Sequence, residues 1–322
     1  MKNYFIAGGA GFIGSHLTKL LLTQKSIKKI VVYDNFSSGK KWHLEDILND
    51  SRLEIITADI KDIQALTNAM SCCDVVYHFA SNPDIAKAVT QPDIDFWEGT
   101  YLTNNILEAM RRSGVNRLLY ASGSGVYGET GNFAVSENYE DMRPISTYGA
   151  SKLACEALIC SYVHMFGMKA SAFRFANVVG PHQTHGVGYD FIRKLKFSDR
   201  SLEIFGDGSQ NKSYIYVSDV LSAMQHLEHN QEKSFDIFNV STLDSMTVKE
   251  IADLVCKIME LKGVEYKFTG GDRGWKGDVP IIRINSSKIR SFGWKNQYNC
   301  NEAMERSLSS MYQDAFRNRF DW

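Results

Sequence analysis

The sequence predicts an α/β fold: a doubly wound, mostly parallel sheet with helices on both faces, followed by a smaller C-terminal α/β lobe. Three observations predict it. Short apolar runs alternate with amphipathic stretches through the first half, a glycine-rich turn follows the first run directly, and the alternation loosens after about Arg174. Apolar runs without polar alternation suit parallel strands covered on both faces. Strand, helix, strand in repetition builds a doubly wound sheet.

The elements follow in order. Tyr4–Ala7, Lys29–Tyr33, Leu53–Ile56, Val75–Phe79 and Arg117–Ala121 read as strands, and Gly14–Thr23 and Ile106–Arg112 carry helical periodicity between them. Pro181–Gly188, rich in Gly and His, reads as a loop, Phe191–Lys196 as a short helix, and Gly206-Asp207-Gly208-Ser209 as a turn. Thr247–Met259 reads as an amphipathic helix, with Thr247 as N-cap and Glu250 completing a capping box. The expected division is a first domain over 1–176, rejoined by about 213–240, and a second lobe formed mainly by 177–322. No repeat or low-complexity linker separates the two.

The 322 residues suffice for a sizeable core, and a formal net charge of -1 gives no global field to recruit nucleic acid or an anionic membrane. No apolar stretch approaches the ~20 residues of a membrane span. Met1-Lys2-Asn3 leads into a strand and a turn rather than a signal peptide. The six cysteines have neither Cys-x-x-Cys nor Cys/His metal spacing, so reduced thiols, no metal and a cytoplasmic location are expected.

Two clusters carry chemistry. Gly8, Gly11 and Gly14 space the turn after the first strand as G-x-x-G-x-x-G at the start of a helix. Glycines there let the backbone approach a pyrophosphate, whose charge sits on the helix N-terminus. Asp34 ends the second strand twenty residues later. A carboxylate there accepts both ribose hydroxyls and repels a 2′-phosphate, which favours NAD over NADP. Asp59-Ile60 ends the third strand, where the acid reads either as an adenine contact or as an ordinary helix cap. The second cluster is Tyr148-x-x-x-Lys152. Four residues apart on a helix share a face, and an ammonium beside a phenol favours the ionised form. Such a tyrosine takes a proton from a substrate hydroxyl while hydride leaves the carbon.

With Tyr33-Asp34-Asn35, His78-Phe79-Ala80-Ser81, Val126-Tyr127-Gly128, Arg174-Phe-Ala-Asn177-Val-Val-Gly180-Pro181 and Gly206-Asp-Gly208 in the same order, the chain resembles the extended short-chain dehydrogenase/reductases, in their nucleotide-sugar epimerase/dehydratase branch. The match runs through essentially the whole length. The resemblance implies a Rossmann domain, tightly held NAD, a nucleotide-diphosphate sugar as substrate and commonly a homodimer through a four-helix bundle. It implies Tyr148 as base, with Lys152 lowering its pKa and holding the nicotinamide ribose. Phe12, Ile13, Asn35, Ser37, Ser38 and Gly39 join the glycines, Asp34, Asp59 and Ile60 as cofactor contacts. Phe79, Ala80 and Ser81 line the cofactor, Val178 faces its carboxamide, and Asn177 holds a substrate phosphate. Lys212 and Arg273 read as pyrophosphate ligands or as solvated cations, and Tyr189 as a sugar or base contact or as core.

The pattern breaks at Gly123, where relatives carry a Ser or Thr beside the catalytic phenol; Ser122 and Ser124 flank it as candidate replacements. Ser124-Gly125 also replaces the acids of 4,6-dehydratases and sugar-acid decarboxylases, so no carboxylate is expected locally and both activities are disfavoured. Gly99 stands where relatives often place Asn. Oxidation at a sugar C4 remains. The expectation leans to a GDP-manno-heptose 4-dehydrogenase, with a UDP- or GDP-sugar 4-epimerase as the alternative and a non-catalytic NAD-binding sensor as the competing class.

Overall fold

A computed structural model of the chain describes residues 1–317, 319 and 320. These fall into two compact units.

The first unit comprises Met1–Val126, Thr147–Arg174 and Leu221–Phe238. Residues 127–146, placed in the first domain from the sequence, belong to the second unit. The strands are β1 (Lys2–Ala7), β2 (Ile27–Asp34), β3 (Leu53–Thr57), β4 (Val75–His78) and β5 (Arg117–Gly123). After β6 (Ala134–Val135), which lies in the second unit, comes β7 (Lys169–Phe175). With Phe235–Val240 they form a seven-stranded sheet in the order Phe235–Val240, β7, β5, β4, β1, β2, β3. The pairs from β5 through β3 are parallel. The order runs outward from β1 in both directions, the doubly wound pattern. Four of the unit's helices are α1 (Phe12–Leu22), α2 (Ile63–Met70), α3 (Tyr101–Ser113) and α4 (Thr147–Phe166). Their apolar faces bury Leu66, Ile106, Met110 and Ile159 against Phe5, Val76 and Leu118 of the sheet.

The second unit comprises Tyr127–Ser146, Phe175–Val220 and Asn239–Trp322, less the undescribed residues. Its core gathers Phe191, Ile192 and Leu195 with Ile251, Val255, Met304 and Leu308. The helix Val248–Ile258 begins in the expected capping box between Thr247 and Glu250. Asn177–Val179 pairs in parallel with Tyr214–Tyr216. No helix among the described residues is long and apolar enough to cross a membrane.

Candidate active site

In the first unit the glycine turn joins β1 to α1 with almost no spare room. A Cβ at Gly8, where φ is +76°, would lie 2.7 Å from the Ala80 amide nitrogen. One at Gly14 would overlap the Gly8 carbonyl oxygen and lie 2.7 Å from the Gly9 Cα. Only glycine tolerates both the left-handed turn and this approach. Gly11 caps α1 with extended backbone and no side-chain hydrogen bond, so a helix N-terminus is presented for negative charge. Asp34 Oδ2 accepts the Ala10 amide at 2.9 Å and Oδ1 accepts the Phe36 amide at 2.8 Å. Burial raises the Asp34 carboxyl above its ordinary range, against the pull of those two amides. Ser37 donates its amide to Asn35 Oδ1 at 3.0 Å, and Ser37 and Ser38 are exposed. Gly39 is buried, its Cβ position 3.0 Å from Ala10 and from Asp34 Oδ1.

Asp59 accepts the Lys61 amide at 2.9 Å and lies 3.4 Å from Asn35 Nδ2, while Ile60 is buried. Phe79 stacks on Tyr77, with centroids 6.1 Å apart, and the Phe79 and Ala80 amides donate to the Ala7 carbonyl. Ser81 is half-buried, as are Phe12 and Ile13 at the head of α1.

Tyr148 and Lys152 lie one turn apart near the start of α4. Lys152 is 4% exposed, donates to the Ala121 carbonyl at 2.8 Å and sits 5.5 Å from the Tyr148 ring centroid. Burial lowers the Lys152 ammonium to about 8, opposed by Cys155, Asp95 and Glu156. The half-buried Tyr148 phenol is pushed well above its ordinary value, first by burial and then by Asp95 and Cys155. In the protein alone, desolvation of the phenolate leads, and the lowering expected from the neighbouring ammonium is not seen.

One carboxylate, Asp95, bears on the Tyr148/Lys152 pair from outside the Ser124-Gly125 segment. It is buried; its oxygens accept from Asn82 at 2.9 Å and Thr147 at 2.6 Å, and its carbonyl accepts from Ser151 at 2.7 Å. It thereby ties down the helix that bears Tyr148. The same Ser151 explains Gly99, since a Cβ there would overlap the Ser151 hydroxyl.

At the departure from the pattern, the Cβ position of Gly123 lies 4.0 Å from the Tyr148 hydroxyl, which is open contact. Ser122 is buried and donates to Glu156 Oε1 at 2.6 Å. Ser124 is half-buried and begins the 3₁₀ turn Ser124–Tyr127.

Four expected residues belong to the second unit together with Val178, which is half-buried in the strand Asn177–Val179. Asn177 donates its side chain to the Ser213 carbonyl at 3.2 Å. Lys212 and Arg273 converge on one residue, Asp278. Its carboxylate pairs with Lys212 and accepts the Gly274 amide at 3.1 Å, while its carbonyl accepts Arg273 Nη1 at 3.2 Å. Arg273 also pairs with Glu129. Tyr189 packs edge-on against Phe320 at 5.0 Å and lines an open groove with Arg193, Lys194 and Phe197. Of these residues Asp278 and Glu129 were missed; Asp278 ends a quoted motif, whereas nothing in the spacing marks Glu129.

Residues 4–241 match the NAD dependent epimerase/dehydratase family. The chain belongs to that family. A UDP-glucose 4-epimerase of Mycolicibacterium smegmatis is 33% identical over 98% of both chains. A UDP-glucuronic acid 4-epimerase of Bacillus cereus, solved with UDP-glucuronic acid and NAD, is 25% identical with a TM-score of 0.87, covering 97% of this chain and 99% of that one. A dTDP-glucose 4,6-dehydratase of Streptomyces venezuelae shares the fold at 21% identity, with a TM-score of 0.91 over 99% of each chain. The chain is thus an NAD-dependent enzyme of the epimerase/dehydratase family, and the Rossmann architecture and NAD expected from the sequence are borne out. The tight glycine turn, the uncapped start of α1 and the Asp34 carboxylate fit that cofactor in this member of the family.

Proposed function

We propose that the protein is a UDP-sugar 4-epimerase. The observation that carries this is the Tyr148 phenol, held beside Lys152 with open space at Gly123 and with Ser124-Gly125 where a dehydratase needs its acids. A Cβ at Gly125 would make only ordinary contact, 3.5 Å from the Gly149 Cα, so space does not exclude an acid there; the sequence lacks one. Relatives bearing the names of UDP-sugar 4-epimerases support this reading over the GDP-manno-heptose 4-dehydrogenase expected first.

NAD, which the glycine turn, the start of α1 and Asp34 would hold, would supply the two-electron acceptor and donor for the C4 hydrogen. Tyr148 accepts the C4 hydroxyl proton and returns it to the same oxygen once the 4-keto sugar has turned its other face to the cofactor, which inverts C4. The Lys152 ammonium keeps two donors beyond its bond to Ala121, for the phenolate and the cofactor ribose. Ser124 is better placed than Ser122 to meet the sugar, because Ser122 is already donated to Glu156. Lys212 and Arg273 hold the diphosphate, exchanging part of their pairing with Asp278 and Glu129 for it. Asn177 and Tyr189 complete the substrate contacts. The homodimer and a cytoplasmic location belong to this proposal; sedimentation tests the former.

Incubation with UDP-glucose or UDP-galactose tests the chemistry. A product isomer of unchanged mass is expected. Loss of two hydrogens returns the dehydrogenase. Turnover that survives Tyr148→Phe overturns the assignment of the base.

A further inference from the structure

We propose that Glu156, acting through the Ser122 hydroxyl, is a positioning residue that sets the register of α4 against the end of β5 and so aims Tyr148 and Lys152. The inference rests on the reading of Tyr148 and Lys152 as the reacting pair.

Tyr148, Lys152 and Glu156 follow one another at intervals of four and share one face of α4. Each meets one of three consecutive residues at the end of β5. Tyr148 lies beside Gly123, with its hydroxyl 4.0 Å from the Cβ position. Lys152 donates to the Ala121 carbonyl at 2.8 Å. Glu156 Oε1 accepts from Ser122 Oγ at 2.6 Å. Gly123 contributes no side chain and Ala121 contributes its carbonyl, so Ser122 makes the one specific side-chain contact of the three. A slip of one residue along β5 would replace that hydroxyl by Ala121 or Gly123 and leave the carboxylate without it.

The carboxylate is itself held from a third element. Arg174 of β7 donates through Nε to Oε1 at 3.0 Å and through Nη2 to Oε2 at 2.6 Å. Glu156 is 3% exposed and Arg174 1%. A buried ion pair is weak evidence of stability, since apolar residues of similar volume often serve as well; its best-attested use is to specify register. Here the register places a phenol and an ammonium that must meet a reacting carbon. The charged and titratable groups facing the ammonium are Tyr148, Cys155 and Glu156 of its own helix, with Asp95, Tyr120 of β5 and His78 of β4. Glu156 is one of the three that hold its proton on against burial.

Three variants test this: Ser122→Ala, Ser122→Thr, and the double variant Glu156→Gln with Arg174→Met, which leaves no lone buried charge. NAD content and thermal melting establish that each is folded and loaded; kcat, KM and the pH–rate profile are the readouts. Ser122→Ala should lose about 10- to 100-fold in kcat, the cost of misplacing a reacting group by up to an ångström, with KM changed less than about twofold. Ser122→Thr should restore most of the rate. The double variant should lose rate and move the alkaline limb of the profile to lower pH. Wild-type turnover by Ser122→Ala, while Tyr148→Phe is dead, overturns the inference and leaves the functional reading standing. So does a loss that threonine fails to rescue together with an unmoved pH profile in the double variant. Activity surviving in Tyr148→Phe brings down the functional reading itself.

Discussion

Restoring the missing hydroxyl should make the enzyme faster. Gly123 has ordinary negative-φ or extended backbone, so serine can enter there without left-handed strain. Its Cβ position lies 4.0 Å from both the Tyr148 hydroxyl and Cε1, with no other heavy atom within 4 Å beyond its chain neighbours. A serine Oγ, one bond further on, can reach the hydroxyl at about 2.7 Å, the usual O–H···O distance. A new hydrogen bond of this kind contributes about 0.5–1.5 kcal/mol. If the new hydroxyl bridges the sugar hydroxyl and the phenolate and eases the proton transfer between them by that amount, kcat rises about 2- to 10-fold. The assay is initial-rate epimerisation of UDP-glucose by Gly123→Ser at saturating substrate, with NAD content matched to the wild type. An unchanged or lower kcat in a folded, NAD-loaded variant refutes the reasoning that the phenol lacks a hydroxyl partner, and would show that Ser124 already supplies it.

Further outcomes follow from the same geometry. Gly14→Ala drives a methyl into the Gly8 carbonyl; overpacking costs about 1–3 kcal/mol, so the purified protein should carry little NAD, read from its absorbance after denaturation. Glu129→Gln frees Arg273 from a half-exposed ion pair that contributes at most about 1 kcal/mol, so KM for the nucleotide sugar should fall up to about fivefold with kcat unchanged. Burial lowers His43 to about 4 and His78 to about 3. Below their ordinary 6.5 the unfolded chain binds these protons while the fold refuses them, so this stability is complete above pH 6.5 and is lost as pH falls toward 4 and then 3. His43 alone accounts for roughly 3 kcal/mol; urea unfolding at pH 7 and pH 4.5 should show the drop, and His43→Asn should remove about half of it, His78 supplying the rest.

Much of the first unit was legible because its signals are local. Apolar runs of strand length and the three glycines marked β1 to β5 and the start of α1, and Thr247 with Glu250 marked a helix start that forms as expected. Glu156 could have been found by extending the helical period one turn beyond Lys152. Asp95 could not: it lies 53 residues before Tyr148, and nothing in the spacing links it to Thr147 or Ser151. His43, which meets the Ala10 carbonyl at 2.7 Å, is likewise invisible from the sequence.

The sequence by itself determined the doubly wound sheet, the glycine turn that opens α1 and the Tyr148/Lys152 pair, because turn chemistry, side-chain period and i,i+4 spacing are properties of neighbouring residues. Tertiary structure alone decided that Ser122 is committed to Glu156 while Ser124 sits half-buried at the next turn, that Asp95 anchors α4, that Lys212 and Arg273 share Asp278, and that burial rather than the ammonium governs the Tyr148 phenol. Each depends on which distant segments meet and how much water their meeting excludes, and neither is encoded in spacing along the chain.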